Sequence, residues 1–373
     1  MPKSSPLPTH VRYAQPGDIA ALLVLEETCF EVDRISRRSF RDLLARETAV
    51  TFVYERDGAL LGYAMLLFRR GTAMSRLYSF AVHPDASGKG IGRLLLQTAE
   101  DITFKRGRLL LRLEVREDNE RAIELYRRNG YRPIGRYLDY YADHTTALRF
   151  EKTIRGDVPL NAPTPYYEQT TDFTCGSCCL MMALARWRDD FKLDPVAEIR
   201  LWREATTIFM MSGLGGCEPH GLAVAAAEAG LSAEILVTEK GPLFLNSVRT
   251  EEKRKVMELA QADFTSRARA LGLKVRYGAF GLGEIRKAIA AGKVVIVLLS
   301  GYHMFGKRVP HWVLAHGDDG HHILIHDPWV EDEIGETIAD AANLPVAHEQ
   351  FDRMARWGRS GLRAAVILGP KAA

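Results

Sequence analysis

Cysteine is scarce in this sequence: five in 373 residues, an odd number, with three crowded between Cys175 and Cys179. That spacing builds no disulfide framework and points to reduced thiols in a cytoplasmic setting. Long apolar runs are missing as well. The longest clean one, Val294–Leu299, has the length of a strand rather than of a membrane span. The first eight residues hold three prolines and lack the apolar core of a secretion signal. Nor does either sign of charge dominate: 50 Lys and Arg stand against 47 Asp and Glu, a formal net charge of +3. Bulk charge therefore makes no case for nucleic acid, and neither nucleic acid nor a membrane is expected as a partner. Residues up to Lys152 carry 25 basic and 20 acidic side chains and the remainder 25 and 27, so an anionic ligand would favour the first part. No internal repeat or low-complexity tract appears. What is present is a globular composition, 47% hydrophobic and 26% charged, at a length that suits two domains.

Two segments separate. In 8–152, helical patterns at Asp18–Phe30 and Ser36–Arg46, with Asp18 and Ser36 as N-caps, precede strand patterns at Val50–Glu55 and Leu60–Phe68 joined by a turn at Arg56–Gly58. A strand at Leu77–Val82, a helix from Gly92 to about Arg106, a strand at Leu109–Val115, a helix at Asn119–Asn129 and two closing strands complete a mixed α/β domain. Residues 153–165, with Pro159, Pro163 and Pro165, read as a linker. In 166–370, helices come first (Cys175–Trp187, Pro195–Glu204, Pro219–Ala229, Glu251–Leu271). Strands follow (Lys274–Tyr277, Val294–Leu299, Trp312–Ala315, His322–His326, Arg363–Leu368), which predicts an α+β domain.

Between the strand ending at Val82 and the helix after it lies Ser87-Gly88-Lys89-Gly90-Ile91-Gly92-Arg93. Glycines at alternate positions let the backbone approach a ligand closely, and the helix start adds a positive end, so the turn suits a pyrophosphate. No Gly-Lys-Ser/Thr closes it, and the G-x-G-x-G spacing differs from that of dinucleotide sites. Further on come Glu114-Val115-Arg116 at a strand end and Asn119-x-x-Ala122-x-x-Leu125-Tyr126-x-x-x-Gly130-Tyr131. Together these motifs resemble the GNAT acetyltransferase superfamily over nearly all of the first segment, in particular its ribosomal-protein alanine N-acetyltransferase branch. The resemblance implies acetyl-CoA as cofactor, held by Ser87 to Arg93, by the backbone at Phe80–Val82 and beside Asn119. It further implies Glu114 as the carboxylate that relieves the acceptor amine of its proton and Tyr126 as donor to the leaving thiolate. The sequence departs from the family at Ser87, where Arg or Gln is usual, which removes a side-chain phosphate contact and keeps the backbone cradle.

In the second segment Cys175 opens an apolar helix, a position that favours a thiolate, and Gly176 leaves room beside it. Gln169 could offer its amide to an oxyanion. A base is required as well, and two late strands would bring His311 beside Asp327, a carboxylate that fixes the imidazole tautomer. Cys178 and Cys179, on the face of Cys175, are expected in the core, and His316, His321, His322 and His326 are expected to alternate along the hairpin and include solvated positions. The rival reading is zinc, through Cys175-x-x-Cys178 and Cys217-x-x-His220. It leaves Gln169, His311 and Asp327 without a role, so no metal is expected.

The set of Gln, Cys-Gly, late His and Asp-Pro resembles the papain-like cysteine peptidases that remove double-glycine leaders from bacteriocins. Thr174 stands where that family commonly has Asp, and the middle, including Thr206–Gly216, looks like elaboration. The expectation is a bifunctional protein acting on peptide or protein substrates: an N-acetyltransferase joined to a peptidase. A second unit that only binds peptides, or that transfers acyl groups instead of hydrolysing them, stands as the alternative.

Overall fold

The structure is a computed structural model and describes residues 7–69, 71–156, 158, 163–207, 215–245, 248, 250–334 and 336–371. The chain divides into two compact units, with the break between Asp157 and Val158. Of the expected linker, residue 153 still belongs to a strand, and residues 157 and 159–162 lie outside those described, as do residues 208–214 of the expected elaboration.

The first unit runs β1 (Val11–Tyr13), α1 (Ile19–Cys29), α2 (Arg37–Leu44), β2 (Ala49–Arg56), β3 (Ala59–Phe68), β4 (Met74–Val82), α3 (Ile91–Lys105), β5 (Leu110–Arg116), α4 (Glu120–Arg128), β6 (Arg132–Tyr137) and β7 (Ala147–Thr153). Its strands form one sheet in the order β1-β2-β3-β4-β5-β7-β6. Asp57 and Gly58, both at positive φ, make the tight turn between β2 and β3. Ser36 caps α2 by accepting from the Ser39 N–H, as its place in the sequence predicts. Asp18 does not cap α1. Residues 16–18 already form a 3₁₀ turn that feeds the helix, and the Asp18 carboxylate instead takes Arg12 and the Gln15 N–H, each at 2.7 Å.

The feature that positions a site is a parting of strands. β4 and β5 pair in parallel only over Met74–Leu77 and Leu110–Leu113. On β4 the register against β3 slips so that Tyr78 has no partner, and Ser79–Val82 stay with β3 while Glu114–Arg116 stay with β7. Such a bulge adds local twist, and the two strands diverge beyond it. Leu77, Phe80, Leu113 and Val115 pack in a core with residues of α3 and α4, whereas Tyr63, Met65 and Ala81 pack with α1 and α2. Glu114, alternating with Leu113 and Val115, therefore faces the α1 side.

The second unit runs α5 (Cys175–Trp187), α6 (Pro195–Ala205), α7 (Pro219–Glu228), β8 (Leu231–Val237), α8 (Glu251–Ala270), β9 (Lys274–Tyr277), α9 (Leu282–Ala290), β10 (Val294–Ser300), α10 (Gly301–Phe305), β11 (Pro310–Asp318), β12 (His322–His326), α11 (Ile338–Ala341), β13 (Leu344–Ala347), α12 (His348–Met354) and β14 (Ala364–Pro370). The sheet order is β13-β12-β11-β10-β14-β8-β9, antiparallel except for the β8–β9 pair. All seven residues of β10 are buried, as a continuous apolar run requires when both faces are covered. Residues of α5, α6 and α7 share the core of one face with β10, β11 and β14, while α9 packs against β10 and β11 and α12 against β12 and β13.

Gly176 has a packing role here. A β-carbon on it would lie 3.1 Å from the Cys217 Cβ and 3.3 Å from Leu222 and Trp312, so the room it leaves beside Cys175 is already filled. β11 also bulges. The pairs Asp318↔Ile323 and Gly317↔Leu324 give way to Ala315↔Ile325 and Leu314↔His326, which leaves His316 as an extra residue.

Candidate active sites

In the first unit the glycine turn has the backbone that an anion needs. Gly88 and Gly90 sit at φ of 77° and 80°, where a side chain is strained, and Gly90 begins α3 with no side chain accepting from the helix's first N–H groups. Ser87 precedes them in extended conformation, and Arg93 is exposed. Lys89 reaches back, its Nζ donating to the Asp85 carbonyl at 2.8 Å. Ile91 is buried, while a β-carbon on Gly92 would come into van der Waals contact with Phe80, Val82 and Leu125, at the parted end of β4. Asn119 caps α4 by accepting from the Ala122 N–H at 3.0 Å. These residues fit a carrier with a pyrophosphate and an amide-bearing arm: a bare helix start for the first, an unpaired strand edge for the second.

Tyr126 and Glu114 stand on opposite faces of that sheet. Tyr126 packs against Phe80, Tyr131 and Phe150 with centroids 5.7–6.4 Å apart, and burial pushes its phenol well above the ordinary range, so it holds its proton. On the α1 side Glu114 accepts from Arg76 Nε at 2.7 Å, and Arg76 also donates to the Tyr140 hydroxyl at 2.5 Å. Arg76 was not singled out from the sequence; a basic residue on a strand gives no signal until its partner is known. The Asp33 carboxylate accepts from the Ala142 N–H at 2.9 Å, tying the α1–α2 loop to the β6–β7 loop.

In the second unit the sequence-predicted groups converge. His311 Nε2 lies 2.7 Å from Asp327 Oδ1, which also accepts from the Trp329 N–H at 2.9 Å. With Nε2 engaged by Asp327 it is Nδ1 that is left for another partner. Burial alone would push His311 down; the Asp327 charge and hydrogen bond, with a further contribution from Cys175, raise it to about 10. The ring is steadied by Phe305, edge-on at 5.6 Å. Cys175 and His311 both line a cavity of about 1100 Å³ whose walls include Phe173, Phe244, Trp329 and Trp357.

Gln169 is brought to the same corner through its backbone, its N–H donating to the Pro328 carbonyl at 2.9 Å. Its amide nitrogen donates to the Thr171 carbonyl at 2.6 Å, which occupies one of its two hydrogens. Burial drives the thiols of Cys178, Cys179 and Cys217 far above the ordinary range. His220 is held between Glu218 and Tyr277, and among the described residues no group of three or more His, Cys, Asp or Glu is arranged to hold a metal ion. His316 and His326 are buried, whereas His321 is exposed.

One buried carboxylate beside the site escaped the sequence. The Glu198 carboxylate, on α6 and fully buried, accepts from the Tyr167 hydroxyl at 3.0 Å, the Thr170 N–H at 2.9 Å, the Thr170 hydroxyl at 2.8 Å and the Thr174 hydroxyl at 2.5 Å. It thereby fixes the loop that carries Gln169 and delivers Cys175. Where the resembled family has an acid immediately before the nucleophile, this chain has Thr174 and takes its carboxylate from a neighbouring helix.

These two constellations define a GNAT-type acetyltransferase unit and a papain-like unit. Residues 164–369 match the model of the Peptidase_C39 like family, and residues 19–131 match that of the Acetyltransferase (GNAT) family. The first match covers more than half of the chain, which belongs to the Peptidase_C39 like family and carries a GNAT N-acetyltransferase domain ahead of it. The putative ribosomal protein bS18-alanine N-acetyltransferase of Bacillus subtilis is 28% identical over 134 residues, 36% of this chain and 87% of its own length. N-alpha-acetyltransferase RimI of Mycobacterium tuberculosis is 40% identical over 86 residues, 22% of this chain and 52% of its own length. The crystal structure of the ribosomal-protein-S18-alanine N-acetyltransferase from Escherichia coli aligns at 26% identity over 40% of this chain and 96% of that one, with a TM-score of 0.36. No helix among the described residues is long and apolar enough to cross a membrane.

Proposed function

We propose that the first unit transfers the acetyl group of acetyl-CoA to a free amine of a peptide or protein, and that the second opens a peptide amide with Cys175, His311 and Asp327. What carries the second half is the His311 ring, bonded to Asp327 on one nitrogen and lining, together with Cys175, one aromatic-walled cavity. A thiolate beside an imidazolium is a ready nucleophile, and the same imidazolium then protonates the departing amine. Gln169 supports the oxyanion with its remaining amide hydrogen.

For the first half, acetyl-CoA supplies an activated acetyl group at a thioester. The backbone from Ser87 to Arg93 holds its pyrophosphate and the edge at Phe80–Val82 its arm, beside Asn119. The parting of β4 and β5 joins the two faces, so an amine on the Glu114 side meets a thioester on the Tyr126 side. Glu114 accepts a hydrogen bond from that amine or from a water between them, and the protonated Tyr126 phenol stands ready for the thiolate.

The test is mass spectrometry of a peptide library incubated with the protein, with and without acetyl-CoA. Acetylated products are expected only with acetyl-CoA and truncated products in both. Tyr126→Phe is expected to lower kcat for acetylation about a hundredfold. It should leave the heat of acetyl-CoA binding by calorimetry unchanged; an unaltered kcat removes Tyr126 from the chemistry.

A further inference from the structure

The amine proton needs a destination, and the Glu114 carboxylate is already engaged by Arg76 at 2.7 Å. A second carboxylate lies on the same face of the sheet. Glu26, in α1 and 1% exposed, accepts from the Tyr63 hydroxyl through one oxygen and from the Ile35 N–H at 2.5 Å through the other. The Tyr63 oxygen is in turn 2.5 Å from Ser79 Oγ. Ser79 is the residue after the unpaired Tyr78, on the stretch of β4 that leaves β5, and it pairs with Met65 of the α1-side core. An unbroken line of three oxygens thus runs from a buried carboxylate to a residue of the β4 stretch that borders the parting from β5.

We propose that Glu26 is the sink for the acceptor's proton, reached through Ser79 and Tyr63, while Glu114 with Arg76 holds the amine; this rests on the acetyltransferase reading of the gap. As the ammonium gives a proton to Ser79 Oγ, the serine hydrogen passes to the Tyr63 oxygen and the tyrosine hydrogen to Glu26. The amine is left with its lone pair for the acetyl carbon, both hydroxyls are restored, and Glu26 is neutral. Burial raises the Glu26 carboxyl above its ordinary range, which brings its proton affinity closer to that of the amine. The groups around it are Tyr63 from β3, Ser79 from β4, Arg34 and the Ile35 N–H from the α1–α2 loop, and Cys29 from its own helix. Arg34 and the hydrogen bonds oppose the effect of burial without cancelling it. Glu26 and Tyr63 act through Ser79 and are relay and positioning residues.

The experiment is the pH dependence of kcat for acetyl transfer to the peptide that the library shows to be acetylated fastest, with Glu26→Gln, Tyr63→Phe, Ser79→Ala and Glu114→Gln beside the wild type. The first three are expected to lose about a hundredfold in kcat with KM for acetyl-CoA unchanged. The acid limb of the wild-type profile is expected to vanish in Glu26→Gln and to persist in Glu114→Gln, where KM for the peptide rises instead. A packing defect cannot remove a titration limb while sparing KM, and Tyr63→Phe keeps the ring should Glu26→Gln fail to fold. Glu26→Gln or Tyr63→Phe variants that retain both kcat and the acid limb overturn the relay alone, as does a limb lost in Glu114→Gln instead. A wild-type protein that acetylates no peptide overturns the acetyltransferase reading and the relay with it.

Discussion

Cys175→Ala is expected to abolish cleavage of a fluorogenic peptide amide, by roughly a millionfold in kcat, while acetylation continues at the wild-type rate. Asp327 allows a finer version of the same test. Asn in its place still accepts a hydrogen bond from His311, so the ring stays oriented, but the negative charge is gone. With His311 near 10 in the intact site, the imidazolium that protonates the leaving amine persists through neutral pH and is lost as pH rises through about 10. The alkaline limb of kcat/KM should therefore fall near pH 10 in the wild type. In Asp327→Asn, burial acts on the imidazole without its counter-charge, and the limb should move down by roughly one to three pH units. Stability carries the same sign. The folded value lies above the ordinary 6.5, so the pair's contribution is complete below pH 6.5 and disappears as pH climbs through about 10. An alkaline limb that does not move in Asp327→Asn would falsify the pairing as the source of the raised imidazole.

The second large effect belongs to Glu198. Glu198→Ala strands the hydroxyls of Tyr167 and Thr170 and the Thr170 N–H around an emptied, buried position, and leaves the Thr174 hydroxyl only its partners on Thr171. A loss of about 3 kcal/mol is expected. In a unit of some 200 residues that is a drop of about 6–12 °C in melting temperature. Glu198→Gln keeps the volume but turns an N–H₂ toward groups that are themselves donors, so it should recover part of the stability. The rate at which iodoacetamide modifies Cys175 separates the roles. If the carboxylate sets the nucleophile loop, labelling slows in Glu198→Gln even at temperatures where that variant is folded.

Much of both sites was legible because its residues sit at positions with a local logic. Cys175 opens a helix, Asn119 and Ser36 stand where a cap belongs, and the glycines at 88 and 90 occupy left-handed turns that tolerate little else. Glu198 could not be found this way. It falls in the first turn of α6, just after the Asp194 cap, where an acid is ordinarily explained by the helix dipole. Only the packing of α6 on α5 shows that it points inward. Glu26 is masked likewise by its neighbour Glu27, since two adjacent acids read as a solvated face. The elements without a prediction, β1, β8, α9, α10, α11, β13 and α12, are short or interrupted by polar residues, and tertiary contacts decide them.

The extra residue in β11 carries a rule about chain length. Carried on from the turn without it, the pairing Asp318↔Ile323 would set Asp327 across from Leu314, on the far side of the sheet from His311. The insertion at His316 shifts the count by one and sets Asp327 across from Val313, on the near side. The protein accommodates for this a buried imidazole whose ring lies tilted against that of His326, centroids 4.1 Å apart, with neither nitrogen partnered among the described residues and its proton affinity pushed down to about 2. Parity, then, is what this hairpin must preserve: extra residues at the Asp319–His321 tip leave the register of the arms alone, whereas gaining or losing a single residue in either arm would turn Asp327 away from His311 while leaving every side chain of the site in the sequence.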